Sequence, residues 1–225
     1  MAPTTKTALS AILFTTLSSM IAPSVAAPAH ANNTLTAPYS LSAYAPGNAH
    51  YNGGKMQGAG GLFLSHPSQY CPTNVAPNCP NGTDSSWAAS LYPITEVPGG
   101  QDLYVNKDGS IGITVQHSHT IPQGAYWEYQ GWSWTALPVT HQKKMHGCPA
   151  ANNTYNCAPP TGYFTFHAPD AKPGVGGVMA CPSLYNAGAT AVYAVTPEFN
   201  RTDCVELMGL GTHKYTGQNP PVWAY

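Results

Sequence analysis

The sequence predicts an all-β protein, a single-domain β-barrel or β-sandwich with disulfide-stapled loops. Three observations carry that expectation. Short apolar runs of strand length recur between turn-forming residues, and the chain holds 22 Gly and 22 Pro, the composition of a sandwich or barrel. No amphipathic stretch of helical period and length occurs in the mature portion. All six cysteines follow an export sequence, and an even count in an exported chain reads as disulfides.

The export sequence is residues 1–27. Lys6 precedes the apolar run Ala8 to Met20, and the small residues Ser24-Val25-Ala26-Ala27 follow. This is the plan of a secretory signal peptide, cleaved after Ala26 or Ala27. A buried core helix is the competing reading, but no cap or polar face accompanies the run. It is too short to span a membrane. The tail Asn219-Pro220-Pro221-Val222-Trp223-Ala224-Tyr225 lacks the hydrophobic end of a lipid-anchor signal. A soluble exported protein is therefore expected, and a monomer.

Residues 28–38 have Pro, Ala and Asn without periodicity and read as a flexible N-terminal segment. Residues 39–225 form the expected all-β domain. Tyr39-Ser40-Leu41-Ser42-Ala43-Tyr44 alternates and reads as the first strand, with Ala45-Pro46-Gly47-Asn48 as its turn. Gly58-Ala59-Gly60-Gly61 feeds a short apolar strand, Leu62-Phe63-Leu64. A phosphate-cradling loop is the sharper reading of those glycines, but no Lys-Ser/Thr follows. Residues 65–90 carry one staple and little periodicity, and Glu96 to Gln101 is a turn. Leu103-Tyr104-Val105 and Ser110 to Val115 flank Asn106-Lys107-Asp108-Gly109, a hairpin whose Gly109 takes a positive φ. Leu103, Val105, Ile111, Ile113 and Val115 are expected to supply one core face.

Tyr126 to Trp134 is dense in aromatics, with Trp132 and Trp134 on one face if the segment is a strand. Gly162-Tyr163-Phe164-Thr165-Phe166 places Phe164 and Phe166 on one side of a strand. The block Gly177 to Cys204 centres on Ala189 to Val195, an apolar, β-prone run that suits a strand covered on both faces. Pro182 ends the strand before it, and Asn200-Arg201-Thr202 forms a polar turn after it. Val205-Glu206-Leu207-Met208 is one more strand candidate.

Spacing predicts three local bridges, Cys71 to Cys79, Cys148 to Cys157 and Cys181 to Cys204, among the fifteen pairings six cysteines allow. The third would shrink the unfolded ensemble by roughly 3 kcal/mol in the chain-entropy model. Structural zinc is disfavoured, because neither short pair has C-x-x-C spacing. Sequons at Asn32, Asn81, Asn152 and Asn200 predict glycan acceptors on exposed loops.

Only 8% of residues are charged, against ~25% in typical globular domains. Lys143-Lys144 is the only adjacent basic pair, so nucleic acid and anionic membranes are excluded as partners. Several residue types nevertheless bear on chemistry. His117-Ser118-His119 places two imidazoles on one strand face, and His141, His146 and His167 add more for a copper or zinc site. Cleavage after Ala29 would make His30 an amino-terminal ligand, the arrangement copper-dependent polysaccharide monooxygenases use. Surface or loop histidines are the simpler reading. Glu96, Glu128, Glu198 and Glu206 are candidates for a glycosidase carboxylate pair, which sequence cannot match up. Gly109-Ser110-Ile111-Gly112 has the wrong spacing for a hydrolase nucleophile elbow. Trp127, Trp132 and Trp134 either stack on sugars or partner proteins, or fill the core. The need of a small β domain for large side chains favours core.

Taken in order, several segments resemble the fungal secreted cell-wall proteins of the PhiA type, also known as IgE-binding proteins, which include elicitors of plant defence. The resemblance rests on the strand Tyr39 to Tyr44, the Leu103 to Gly109 hairpin and the Gly131-Trp132-Ser133 step. Its most specific part is Met179-Ala180-Cys181-Pro182 leading to Val192-Tyr193-Ala194 and Asp203-Cys204. It spans about residues 39 to 210, with extra sequence at Cys148 to Cys157 and a longer aromatic run here. It implies an all-β fold, secretion and wall association, and transfers no catalytic residue. The expectation is thus a non-enzymatic extracellular protein without a cofactor, whose partner is cell-wall polysaccharide or a host extracellular protein. An enzyme acting on polysaccharide is the alternative.

Overall fold

The computed structural model describes residues 34–65, 70–88, 90–139, 143–149, 151–152 and 154–225. The signal peptide, His30, Asn32 and His141 lie outside them. Among the described residues there are fourteen strands and no helix. All strand pairings are antiparallel. The fold is all-β, as composition and turn spacing predict.

The strands are β1 (Tyr39–Tyr44), β2 (Lys55–Gly58), β3 (Leu62–Leu64), β4 (Trp87–Ala88), β5 (Tyr92–Pro93), β6 (Leu103–Val105) and β7 (Ile111–Ile113). They continue as β8 (Tyr126–Trp127), β9 (Trp132–Ala136), β10 (Gly162–Phe166), β11 (Val178–Pro182), β12 (Thr190–Ala194), β13 (Val205–Leu207) and β14 (Gly209–Lys214). Nine form a curled half-barrel sheet in the order β13-β11-β12-β3-β2-β1-β14-β10-β9, and β4 and β5 branch from β1. A three-stranded sheet, β7-β6-β8, lies against it. Bridges Gly61 to Gly112 and Ser110 to Tyr193 tie the two together.

Alternation builds the core as it should. On β10, Gly162, Phe164 and Phe166 are buried while Tyr163 and Thr165 are half-buried, so the pleat sends the phenylalanines inward. They meet Leu41, Met56, Leu62, Leu103, Val105, Val192 and Leu210 in one cluster. β12 is buried at Ala191, Val192, Tyr193 and Ala194, the two-sided covering its apolar run calls for. Residues 221–225 also enter the interior. Val97 and Glu96 donate backbone hydrogen bonds to Trp223 and Val222, and the side-chain amide of Gln101 brackets the Tyr225 backbone at 2.8 and 3.0 Å.

Two expectations need correction. Val115 does not join the core face of the hairpin and is 75% exposed. β7 ends at Ile113, and the chain turns away through His117, whose φ is 60°. His117 and His119 therefore stand on a loop, not on one strand face. Of residues 34–38, Leu35 packs on the main cluster and Pro38 accepts from the Tyr215 amide.

Candidate functional site

The disulfides join Cys71 to Cys79, Cys148 to Cys157 and Cys181 to Cys204, the pairing local spacing predicts, and no free cysteine remains. Cysteine nucleophiles are thereby ruled out. Asn81, Asn152 and Asn200 are exposed, the placement a glycan acceptor requires.

The three tryptophans singled out from sequence do not form one row. Trp132 and Trp134 on β9 pair across to Phe166 and Phe164 on β10. Directly paired residues share a face, so both indoles lie on the core side of the sheet at its rim. Trp132 meets the Phe166 ring edge-on at 5.0 Å, and Trp134 Nε1 donates to Thr212 Oγ1 at 3.1 Å. These two are half-buried packing residues.

Trp127 is placed differently. It sits on β8, at the edge of the small sheet, opposite Tyr104 on β6. Its neighbour Tyr126 points inward and is buried against Phe166, so Trp127 and Tyr104 face outward. Tyr104 lies directly over Gly112, where any Cβ would strike its ring. Tyr129, in the turn after β8, sets its ring near-parallel to that of Trp127, at 5° with centroids 6.3 Å apart. Tyr129 is 62% exposed. Gln130 Oε1 accepts from the Trp127 amide at 2.9 Å and holds the turn. The outer face of the small sheet thus carries an aromatic platform of Tyr104, Trp127 and Tyr129.

Ionisable groups gather beside it. Asp102, just before β6, is buried, and its Oδ2 lies 2.6 Å from His119 Nδ1. Burial, then the Asp102 charge, push the Glu128 carboxyl up, against its own backbone amide and His119. Tyr92 is pushed up by burial and by both carboxylates. Sequence reasoning named His119, Glu128 and Trp127 separately and missed Asp102, Tyr92, Tyr104 and Tyr129. Nothing local marks Asp102: it is an ordinary polar residue ahead of a hairpin, and only pairing of β6 with β8 brings it near Glu128.

Glu96, Glu198 and Glu206 are exposed, as are His146 and His167, and of these five Glu206 and His167 line one hollow. His117 Nδ1 contacts Pro98 O at 3.1 Å. No group of three or more His, Cys, Asp or Glu side chains placed to hold a metal occurs among the described residues. A buried histidine that sequence reasoning passed over, His213 on β14, has its Nε2 2.7 Å from Ser42 Oγ. Burial lowers it to about 4.

No family model matches the chain, and no solved structure matches it. One relative is a protein of Arthroderma benhamiae (strain ATCC MYA-4681 / CBS 112371) described as an uncharacterized secreted protein. The two are 31% identical over 186 residues, covering 80% of this chain and 82% of that one. The agreement takes in most of both chains, and a secreted relative fits the export sequence and the three cystines. The chain therefore belongs to the family of that secreted fungal protein.

Proposed function

We propose that the protein is a non-enzymatic glycan-binding protein of the fungal cell wall, and that the platform of Tyr104, Trp127 and Tyr129 is its contact surface. One observation carries the reading. Two near-parallel rings, 6.3 Å apart, are held on the outside of a sheet by a hydrogen-bonded turn. Pyranose rings present apolar C–H faces, which stack on such aromatics. A fixed platform also loses little side-chain entropy on binding. The resemblance to PhiA-type proteins supports the wall as location. Recognition as an elicitor by a plant host, or by IgE, would then be a consequence of a durable extracellular surface.

Co-sedimentation with insoluble chitin and β-1,3-glucan tests this. The wild-type protein should be depleted from solution, and the Trp127→Ala/Tyr129→Ala variant should remain in it. Equal depletion of the two, or none for the wild type, would overturn the reading.

The Asp102, His119 and Glu128 group favours a second reading. A buried carboxylate paired to an imidazole, beside a carboxyl pushed up by burial, is a composition suited to acid–base catalysis on the bound sugar. Glycan incubation followed by reducing-end assay, comparing wild type with Glu128→Gln, separates the two: new ends with the wild type alone would make the protein an enzyme.

A further inference from the structure

Away from the platform, the loop joining β11 to β12 presents Tyr185 to solvent at 88% exposure. The loop is firmly built. Ser183 Oγ accepts from the amides of Tyr185 and Asn186 at 3.2 and 3.0 Å, and the Ser183 and Ala189 amides close it at 2.8 and 3.0 Å. Cys181–Cys204 braces its base, and Arg201 Nη2 donates to Pro182 O at 2.8 Å. Tyr185 and Asn186 stand on a ridge between two hollows and line both. One, of about 610 Å³, has Tyr51, Tyr155 and Thr190 on its walls. The other, of about 290 Å³, is walled by Tyr104 and Tyr193 and so reaches the edge of the platform.

We infer that this ridge and its two hollows form a second binding site, for a neutral hexopyranose polymer that lies across Tyr185. The inference rests on the glycan-binding reading and shares only Tyr104 with the platform. Hollows of this size match those that enclose small ligands. Their walls combine aromatic rings for sugar faces with amides and hydroxyls for sugar hydroxyls. No Lys, Arg, Asp or Glu is among the described residues that line either hollow; His50 is the sole ionisable group there besides tyrosine. A polyuronate or a free-amine glucan would bring charges into these walls without a partner of opposite sign, which costs binding energy. A neutral chain meets no such cost. Because Tyr185 and Asn186 line both hollows, a short sugar fills one, and a longer chain fills both as a tethered pair of contacts.

Titration of the full secreted chain with β-1,3-glucan and chitin oligosaccharides, from disaccharide to hexasaccharide, tests this. Affinity should rise about tenfold or more with length, each tenfold being ~1.4 kcal/mol. Tyr185→Ala, at an exposed position, should keep the wild-type melting temperature and lose most of that rise. Polygalacturonate and chitosan should bind at least about tenfold more weakly than neutral chains of equal length. A hexasaccharide bound equally by Tyr185→Ala and wild type overturns the site, and equal binding of charged polymers overturns its neutral specificity. Loss of binding in Trp127→Ala/Tyr129→Ala alone leaves the platform and removes this site. Loss in Tyr185→Ala alone does the reverse. No binding of any oligosaccharide by the wild type removes both.

Discussion

Two aromatic pairs in this molecule have nearly the same geometry and opposite surroundings. Trp87 and Tyr225 lie near-parallel, at 12° with centroids 5.6 Å apart, and are 0% and 7% exposed. Trp127 and Tyr129 lie at 5° and 6.3 Å, with Tyr129 62% exposed. The first pair belongs to the main core cluster, into which the C-terminal Tyr225 is buried. Tyr225 Oη accepts from the Ser86 amide at 2.8 Å, while Trp87 Nε1 is buried without a partner among the described residues. The second pair lies at the surface, with Trp127 half-buried and Tyr129 exposed. Ring stacking alone therefore does not assign a role: the first arrangement stabilises the fold, and the second leaves apolar faces available to a ligand.

The largest contrast between the two pairs should come from Trp87→Ala. Removing a fully buried indole should cost about 3–5 kcal/mol, read from urea denaturation, with sugar binding unchanged in the folded fraction. If instead Trp127→Ala cost more than Trp87→Ala, the assignment of the two pairs would be reversed. A pH series probes the buried side further. His213 ionises at about 4 in the fold, against an ordinary 6.5. As pH falls from 6.5 toward 4 the unfolded chain takes up a proton that the folded one refuses, so stability falls across that window and levels off below it. The loss should approach about 3 kcal/mol, since each tenfold difference in proton affinity between the two states is worth ~1.4 kcal/mol. A Ser42→Ala/His213→Leu variant should flatten this slope in urea midpoints measured across the window.

Gly109→Val should lower stability by about 2–3 kcal/mol, because Gly109 has φ 88° and its Cβ would press on the Ala194 carbonyl and the Phe199 ring. An unchanged melting temperature would contradict the hairpin. Tyr225→Phe should cost about 1–2 kcal/mol by leaving the buried Ser86 amide unbonded. Smallest should be Trp127→Ala, within about 0.5 kcal/mol in stability yet with weakened glycan retention, the reverse of Trp87→Ala.

Much of the fold was legible because the strongest strands announce themselves locally. Gly162–Phe166 alternates cleanly, Tyr39 to Ala43 alternates apolar and polar residues along its sequence, and Asn106 to Gly109 spells its own turn. β14 was not legible in full. Its glycines Gly209 and Gly211 and polar Thr212 and His213 read as a poor strand, yet it pairs with β1 along six residues and with β10 on its other side. Small residues are required there because neighbours approach closely: a Cβ on Gly209 would meet the Phe164 carbonyl. Lys55–Gly58 was overlooked for a similar reason, since Gly58 makes room for the Tyr225 ring.

Export, the all-β class, the hairpin turn and the pairing of nearby cysteines follow from the amino-acid sequence, since each depends on residues close together along the chain. The closed fold was needed to settle which aromatics are buried, that Asp102 meets His119 and lies within electrostatic reach of Glu128, and that Tyr185 divides two hollows. Those relations join residues from separate strands and loops, and they exist only once the sheets have curled and closed on each other.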